Sequence, residues 1–142
     1  MIVGFTGSRN GLTSLQKSSL KELLTKLNLV EKGHHGDCLG ADVEFHDVCL
    51  EMKIPIVLHP PSNDKNRAFC QGYIAKHPEA PYLERDRDIV DAVNLIIATP
   101  AGPERLRSGT WTTVRYARKK NKAIIIIESD GNLLLERFSW EN

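Results

Sequence analysis

The sequence predicts an α/β fold: a single Rossmann-like domain, with a mostly parallel sheet of about five strands, helices on both faces and an antiparallel C-terminal edge strand. Short apolar runs alternate with segments of helical periodicity along most of the chain, which is typical of a parallel sheet with crossover helices. Four consecutive isoleucines at 124–127 indicate a strand that is covered on both faces. The length of 142 residues fits one domain over 1–142.

The first half of the chain alternates strands and helices up to about residue 58. Residues 2–6 form an apolar strand that ends at the tight turn Thr6-Gly7-Ser8. The next helix can be capped by Thr13 or Ser14, and its leucines recur at helical spacing. The predicted elements of this half are a strand at 2–6, a helix from 13 or 14 to about 28, a strand at 29–35, a helix at 40–52 and a strand at 54–58.

The second half begins with a long loop at 59–81, where the periodicity disappears, and we expect one helical turn near 68–75. Asp130-Gly131 indicates a hairpin turn, after which the chain returns as an antiparallel edge strand. The predicted elements of this half are a helix at 84–92, a strand at 93–99, a helix at 110–120, a strand at 122–128 and the edge strand at 132–138.

Composition and charge narrow the class of protein. Hydrophobic content is 41% and charged content is 26%, and no apolar run approaches the length of a membrane span. The start of the chain lacks a cationic leader, so we expect a cytoplasmic protein without a membrane partner. A net charge of +1 gives no overall field that would attract DNA or RNA.

Cysteines and histidines do not follow a recognised ligand spacing. Cys38, Cys49 and Cys70 are odd in number and lack C-x-x-C spacing, so we expect free thiols. A metal site could be drawn through a group of neighbouring side chains, but their spacing matches no known pattern, and we expect neither a metal nor a cofactor. That group is His34, His35, Asp37, Cys38, Asp42 and His46.

Three glycine-bearing loops follow predicted strands, and ligands of open parallel sheets bind beyond the carboxyl ends of the strands. In the first loop Gly7 permits close backbone approach to a phosphate, Ser8 offers a hydroxyl and an amide, and Arg9 offers a planar fork. An ordinary strand-to-helix turn with an exposed arginine explains the loop equally well when it is considered alone.

The second and third loops favour the ligand-binding interpretation of the first. Gly36 and Gly40 bracket polar residues at a helix start, where Asp42 could accept a bond from a ribose or could simply complement the helix dipole. In the third loop, small and hydroxylic residues at 108–110 open another helix. Before the fourth strand, residues 84–88 are interpreted as a surface ladder of ion pairs.

The order of these motifs resembles the SLOG superfamily of small Rossmann-like proteins, which is related to lonely-guy phosphoribohydrolases and the DNA-processing protein A family. Walker, G-x-S-x-G and G-x-G-x-x-G motifs are absent from the sequence. The motifs that carry the resemblance are Phe5-Thr6-Gly7-Ser8-Arg9, His35-Gly36 through Gly40-Ala41-Asp42, Arg85 with Arg87, and Ser108-Gly109-Thr110.

The resemblance implies that the chain binds a nucleotide or a nucleotide-derived signal at the strand ends. It also implies a homo-oligomer, for which Trp111, Phe138 and Trp140 are candidate interface anchors. The expected ligand-binding residues are Gly7, Ser8, Arg9, Gly36, Asp37, Cys38, Gly40, Ala41, Asp42, Arg85, Arg87, Pro100, Gly102, Ser108, Gly109 and Thr110.

Two alternative functions follow from the same resemblance. The first is a nucleoside 5′-monophosphate N-glycosidase, with Arg85 and Asp42 as candidate catalytic residues. The family's glutamate position holds Thr113, so another carboxylate would have to stabilise the sugar cation. The second is binding of single-stranded nucleic acid, which low aromatic content and near-neutral charge disfavour. Further carboxylates that could serve the enzyme are Glu84, Asp88 and Glu104.

Overall fold

The computed structural model describes residues 1–27 and 29–140, and it contains seven strands and four helices in these ranges. The strands are β1 (Ile2–Gly7), β2 (Lys32–His35), β3 (Ile56–Leu58), β4 (Ala75–Lys76), β5 (Leu95–Thr99), β6 (Ala123–Ile127) and β7 (Leu133–Glu136). The helices are α1 (Ser14–Lys26), α2 (Ala41–Glu51), α3 (Tyr82–Ala92) and α4 (Gly109–Lys119).

All strands belong to one sheet in the order β4-β3-β2-β1-β5-β6-β7. Every pairing is parallel except the pairing of β6 with β7. The chain therefore winds outward from β1 in one direction and resumes at β5 on the other side of β1. The strand order reverses between β1 and β5, where Gly7 is in register with Thr99.

Two apolar cores lie on opposite faces of the sheet. One contains leucines of α1 and the apolar side of α2, including Leu20 and Phe45, and the other contains residues of α3 and α4, including Val90 and Val114. Within β6 the isoleucines alternate between the cores, with Ile125 in the first and Ile124 in the second. The predicted α/β fold class, the buried isoleucine strand and the antiparallel edge strand are confirmed.

The long loop before α3 differs from the prediction. The helical turn expected near 68–75 is absent, and the structure instead has one 3₁₀ turn at Asp64–Asn66 and the short strand β4. The five predicted parallel strands and the predicted edge strand β7 are all present, and β4 is the seventh. It was not predicted because a two-residue strand leaves no periodic pattern in a sequence.

The boundaries of α1 follow from side-chain capping at its start. Thr13 accepts a bond from the Gln16 backbone amide, and the Gln16 side chain accepts one from the Thr13 amide, which together form a capping box. The helix ends at Lys26, and the predicted end near residue 28 falls on a residue outside the described ranges. No helix within 1–27 or 29–140 is long and apolar enough to span a membrane.

Candidate functional site

A cavity of about 700 Å³ opens at the carboxyl ends of β1 and β5, where the strand order reverses. Such switch points are the usual ligand sites of doubly wound sheets. Its walls come from the loops after β1, β2 and β5 and from one side of α3. The lining residues are Phe5, Thr6, Gly7, Ser8, Arg9, Asn10, Gly36, Cys38, Asp42, Tyr82, Arg85, Asp86, Ile89, Ala101, Gly102, Pro103, Arg105, Arg107, Ser108, Gly109, Thr110 and Trp111.

The loop after β1 is tightly packed at Gly7. A Cβ atom there would overlap Thr99 Oγ1 and Ala41 Cβ, so no larger residue fits without displacing β5 or the start of α2. The carbonyl of Ser8 accepts a bond from the Ala41 amide at 3.0 Å, and its hydroxyl accepts one from the Asn10 amide at 3.1 Å. These bonds fix the backbone of the loop beside the cavity.

Arg85 forms the buried floor of the cavity and is 7% exposed. Its Nη1 donates to the Gly36 carbonyl and, at 3.3 Å, to the His59 carbonyl, while its Nε donates to Asp86 Oδ1 at 2.7 Å. Gly36 has no side chain, and a Cβ there would overlap the guanidinium. The sequence places this arginine on a surface ladder with Asp88, but the structure pairs it with Asp86 and leaves Asp88 exposed.

Two carboxylates line the cavity beside Arg85. Burial raises the pKa of Asp42 to about 6, against the opposing effects of Arg85 and of the Cys38 amide, which donates to Asp42 Oδ2 at 3.1 Å. Burial also raises the pKa of Asp86, against the effects of Arg85, which donates to it, and of the nearby Thr113 hydroxyl. Both carboxylates therefore hold protons at a higher pH than exposed aspartates do.

The opposite wall begins at the N-terminus of α4. Ser108 caps the helix through a bond from the Trp111 amide to its hydroxyl at 3.3 Å, and the Trp111 indole donates to the Gly102 carbonyl at 3.1 Å. Arg115 donates to the carbonyls of Arg105 and Leu106, which fastens the preceding loop to α4. The free amides of the first turn and the helix dipole make this end of α4 favourable for an anion.

Tyr82 stands between two guanidinium groups at the cavity wall. The Cζ atoms of Arg9 and Arg85 lie 5.7 Å and 5.4 Å from its ring centroid. Its buried hydroxyl has no hydrogen-bond partner among residues 1–27 and 29–140. A buried hydroxyl without a partner costs free energy, so a local shift of the cavity wall that gave it a partner would be favourable.

The structure brings most of the expected ligand-binding residues together at this cavity. They come from the loops after β1, β2 and β5 and from the helices α2, α3 and α4, which the fold places around one point. The expected residues that line it are Gly7, Ser8, Arg9, Gly36, Cys38, Asp42, Arg85, Gly102, Ser108, Gly109 and Thr110.

Five expected residues lie outside the lining, and most of them have other contacts. Asp37 bonds Arg67 at 3.0 Å and the Cys70 amide at 2.9 Å. Arg87 lies over the Tyr116 ring on the exposed side of α3. The remaining three support the cavity from behind: Gly40 packs on the Arg9 backbone, Ala41 donates to Ser8, and the Pro100 carbonyl accepts from Gln16.

Sequence reasoning missed several lining residues, chiefly Tyr82 and Asp86. Both lie on the same side of α3 as Ile89, and the spacing 82, 86, 89 is the signal that could have found them. The carboxylates proposed instead, Glu84 and Asp88, are exposed. Trp111, one of the candidate interface anchors, is 7% exposed and belongs to the core beneath α4.

Comparison with known proteins gives a structural likeness without a sequence family. No family model matches the chain, and no curated protein matches it. The molybdenum cofactor binding protein from the phototrophic bacterium Rippkaea orientalis superimposes with a TM-score of 0.67 at 19% identity, over 89% of this chain and 76% of that one. The likeness shows the fold. It supports the Rossmann-like assignment.

Proposed function

We propose that this chain binds a nucleotide or a nucleotide-derived signal in the cavity between the ends of β1 and β5. The observation that carries the proposal is the distribution of charge. Four guanidinium groups line the cavity, and only that of Arg85 has a carboxylate partner among the described residues. Arg9, Arg105 and Arg107 point to a ligand with phosphate groups, which planar guanidinium groups bind well.

The polar and aromatic groups of the cavity fit the remainder of a nucleotide. Backbone amides of the loop after β1 and the first turn of α4 suit phosphate oxygens. Asp42 can accept a bond from a ribose hydroxyl, and Tyr82 offers a ring. The solved neighbour is a molybdenum cofactor binding protein, which supports a small-molecule ligand for this fold.

The family and oligomeric state are part of the same proposal. The motif order supports membership in the SLOG superfamily, and that membership would imply a homodimer. A volume of about 700 Å³ suits a mononucleotide or dinucleotide better than an extended strand of nucleic acid. Titration with a labelled single-stranded oligonucleotide, alongside mononucleotides and cyclic nucleotides, would separate these ligands.

Replacement of Arg9 tests the proposed phosphate contact. We expect Arg9→Met to weaken the affinity of the best-binding nucleotide roughly tenfold to a hundredfold, because a hydrogen bond to a charged group contributes about 1.5–3 kcal/mol. Isothermal titration calorimetry measures the change. The control is Lys17→Met, which removes one positive charge from the exposed side of α1. Equal affinities for the two variants would contradict the contact.

Protonation of Asp42 should make binding depend on pH. The pKa of Asp42 is raised to about 6, so the carboxyl is neutral below that pH and negative above it. An anion should therefore bind more tightly at about pH 5 than at about pH 8. The expected difference in affinity is roughly three- to tenfold, which corresponds to a change of up to about one unit in the pKa of Asp42 when the anion binds. A nucleoside 5′-sulfate is the suitable probe because its own charge is constant. Asp42→Asn should reduce the pH dependence, and the part that remains should come from Asp86, whose pKa is also raised.

A second candidate function is cleavage of a nucleoside 5′-monophosphate at its N-glycosidic bond. Asp86 favours it, since this carboxylate lies in the cavity and is held by Arg85. A carboxylate so placed can stabilise a developing sugar cation or activate water. Asp86 would thereby supply the group that Thr113 lacks.

Base release measured by chromatography tests this second function. If the wild-type protein releases base, we expect Asp86→Asn to reduce the rate by a factor of roughly a hundred or more, as for a lost general acid or base. Asp88→Asn is the matched control, because it changes an exposed aspartate of the same helix. Equal rates of base release by Asp86→Asn and Asp88→Asn would assign the chemistry to another group. If the wild-type protein releases no base, the cleavage function is wrong and only the binding function stands.

A further inference from the structure

A second cluster of potential ligand groups lies behind the cavity wall. One ring nitrogen of His35, one of His46 and the Sγ of Cys70 lie within 4.8 Å of one another. The three residues come from β2, α2 and the loop between β3 and β4, so the fold assembles them from distant parts of the sequence. None of the three lines the cavity, and the proposed nucleotide function does not use them.

The hydrogen bonds of His46 orient its ring as in a metal site. Its Nε2 lies 2.6 Å from the Gln71 carbonyl, which can only accept, so Nε2 carries the proton. Its Nδ1 consequently presents a lone pair to the cluster, 2.8 Å from His35 Nε2. Metal-binding histidines characteristically donate their second ring nitrogen to a carbonyl or carboxylate in this way.

Cys70 is also held in place. Asp37 accepts a bond from the Cys70 amide at 2.9 Å, which fixes the backbone beside the thiol. The other Asp37 oxygen is bonded to Arg67 Nε at 3.0 Å, which fixes the carboxylate. Cys70 is partly exposed, whereas His35 and His46 are buried, so the thiol side is the path by which an ion could enter.

We propose that His35, His46 and Cys70 form a site for a zinc ion. Two imidazole nitrogens and one thiolate are donors that Zn²⁺ prefers, whereas Mg²⁺ and Ca²⁺ prefer oxygen. Three protein ligands leave the fourth tetrahedral position for water. The expectation of no metal rested on the lack of ligand spacing in the sequence, and Cys70 lies too far along the chain for spacing to reveal it.

Zinc binding requires two proton movements. The Cys70 thiol releases its proton to solvent, and the His35 proton moves from Nε2 to Nδ1. The second movement breaks the bond that the Asp37 amide donates to Nδ1 at 3.0 Å. The two ring nitrogens must also separate to about 3.3 Å, given Zn–N bonds near 2.0–2.1 Å. Zinc binding to such donors outweighs the loss of two hydrogen bonds, the one from the Asp37 amide to His35 and the one between His35 and His46.

A zinc ion at this cluster would hold the long loop before α3 against the sheet and α2. Cys70 and Gln71 belong to this loop, while His35 and His46 belong to the sheet and to α2. An ion at the cluster would connect the loop to both. Lys65 and Lys76 are exposed on the same loop, so bound zinc should slow tryptic cleavage there.

Cobalt titration of the tag-free, metal-stripped full chain tests the site. We expect one equivalent of Co²⁺ to give a thiolate-to-cobalt charge-transfer band and tetrahedral visible bands, which Zn²⁺ then abolishes. Cys70→Ser should remove the charge-transfer band, and His46→Gln should weaken cobalt affinity at least tenfold. The control His77→Gln changes an exposed histidine outside the cluster and should behave as the wild type.

The wild-type spectrum decides the proposal even if a variant fails to fold. Saturating Co²⁺ without a charge-transfer band overturns it, as does a band that persists in folded Cys70→Ser protein. Protection of the loop from trypsin by Zn²⁺ in the wild type, and its loss in His46→Gln, would support it. Nucleotide affinity is measured separately on the same samples, so failure of one site is distinguishable from failure of the other.

Discussion

Arg85→Met should lower the free energy of unfolding by about 3–5 kcal/mol, the usual cost of removing one partner from a buried ion pair. The variant leaves the carboxylates of Asp86 and Asp42 beside no cation and removes the donors to the Gly36 and His59 carbonyls. Because domains are stable by only about 5–15 kcal/mol, the loss is a large fraction of the total. Urea denaturation followed by circular dichroism measures it.

Two further variants identify the cause of this loss. Arg87→Met removes an exposed arginine of the same helix and should change stability by less than about 1 kcal/mol. Arg85→Met combined with Asp86→Leu should recover part of the loss, because the second change removes one of the unpaired charges. A double variant no more stable than Arg85→Met would show that lost packing, rather than unpaired charge, dominates.

Gly7→Ala should destabilise the protein by about 1–3 kcal/mol and weaken nucleotide binding at least roughly tenfold. The added methyl group would overlap Thr99 Oγ1 in β5 and Ala41 Cβ in α2, and both belong to well-packed elements that cannot move independently. The loop after β1 must therefore shift, which displaces the amides beside the cavity. Thermal unfolding with and without nucleotide measures both effects.

The matched control for this substitution is Gly109→Ala. No atom lies within 4 Å of a Cβ built at Gly109, and this residue begins α4. Alanine is favoured over glycine in a helix, so this variant should be as stable as the wild type or slightly more stable. Similar destabilisation by both substitutions would contradict the steric explanation for Gly7.

The fold could be predicted from the sequence where periodic patterns are long. The isoleucine run of β6 and the leucine spacing of α1 each indicate an element whose buried positions follow from the pattern alone. Strand order could not be predicted in this way, because it depends on which edge each crossover connection joins. The short strand β4 was missed because its two residues, Ala75 and Lys76, are exposed and carry no periodic signal.

In the candidate site, too, residues with a sequence pattern could be predicted and residues placed by tertiary contacts could not. Loops with glycine at strand ends were found in the sequence, because glycine at such a position indicates close approach of another group. The groups that approach Gly7 and Gly36 are visible only in the fold. Asp86 was missed because charged residues on a helix are usually solvated, and only packing against Arg85 places this one in the cavity. The cluster of Cys70 with His46 depends on the path of a loop that has no sequence pattern.

Arg85 connects elements that pack on opposite faces of the sheet, and this connection should affect local unfolding. Its helix packs on one face of the sheet, yet its guanidinium binds carbonyls that follow β2 and β3, whose connecting helices pack on the other face. The two flanks of the sheet are thereby tied across the switch point. We expect amide hydrogens of β2 and β6 to exchange as one cooperative unit, and Arg85→Met to let the β2 flank exchange independently and faster.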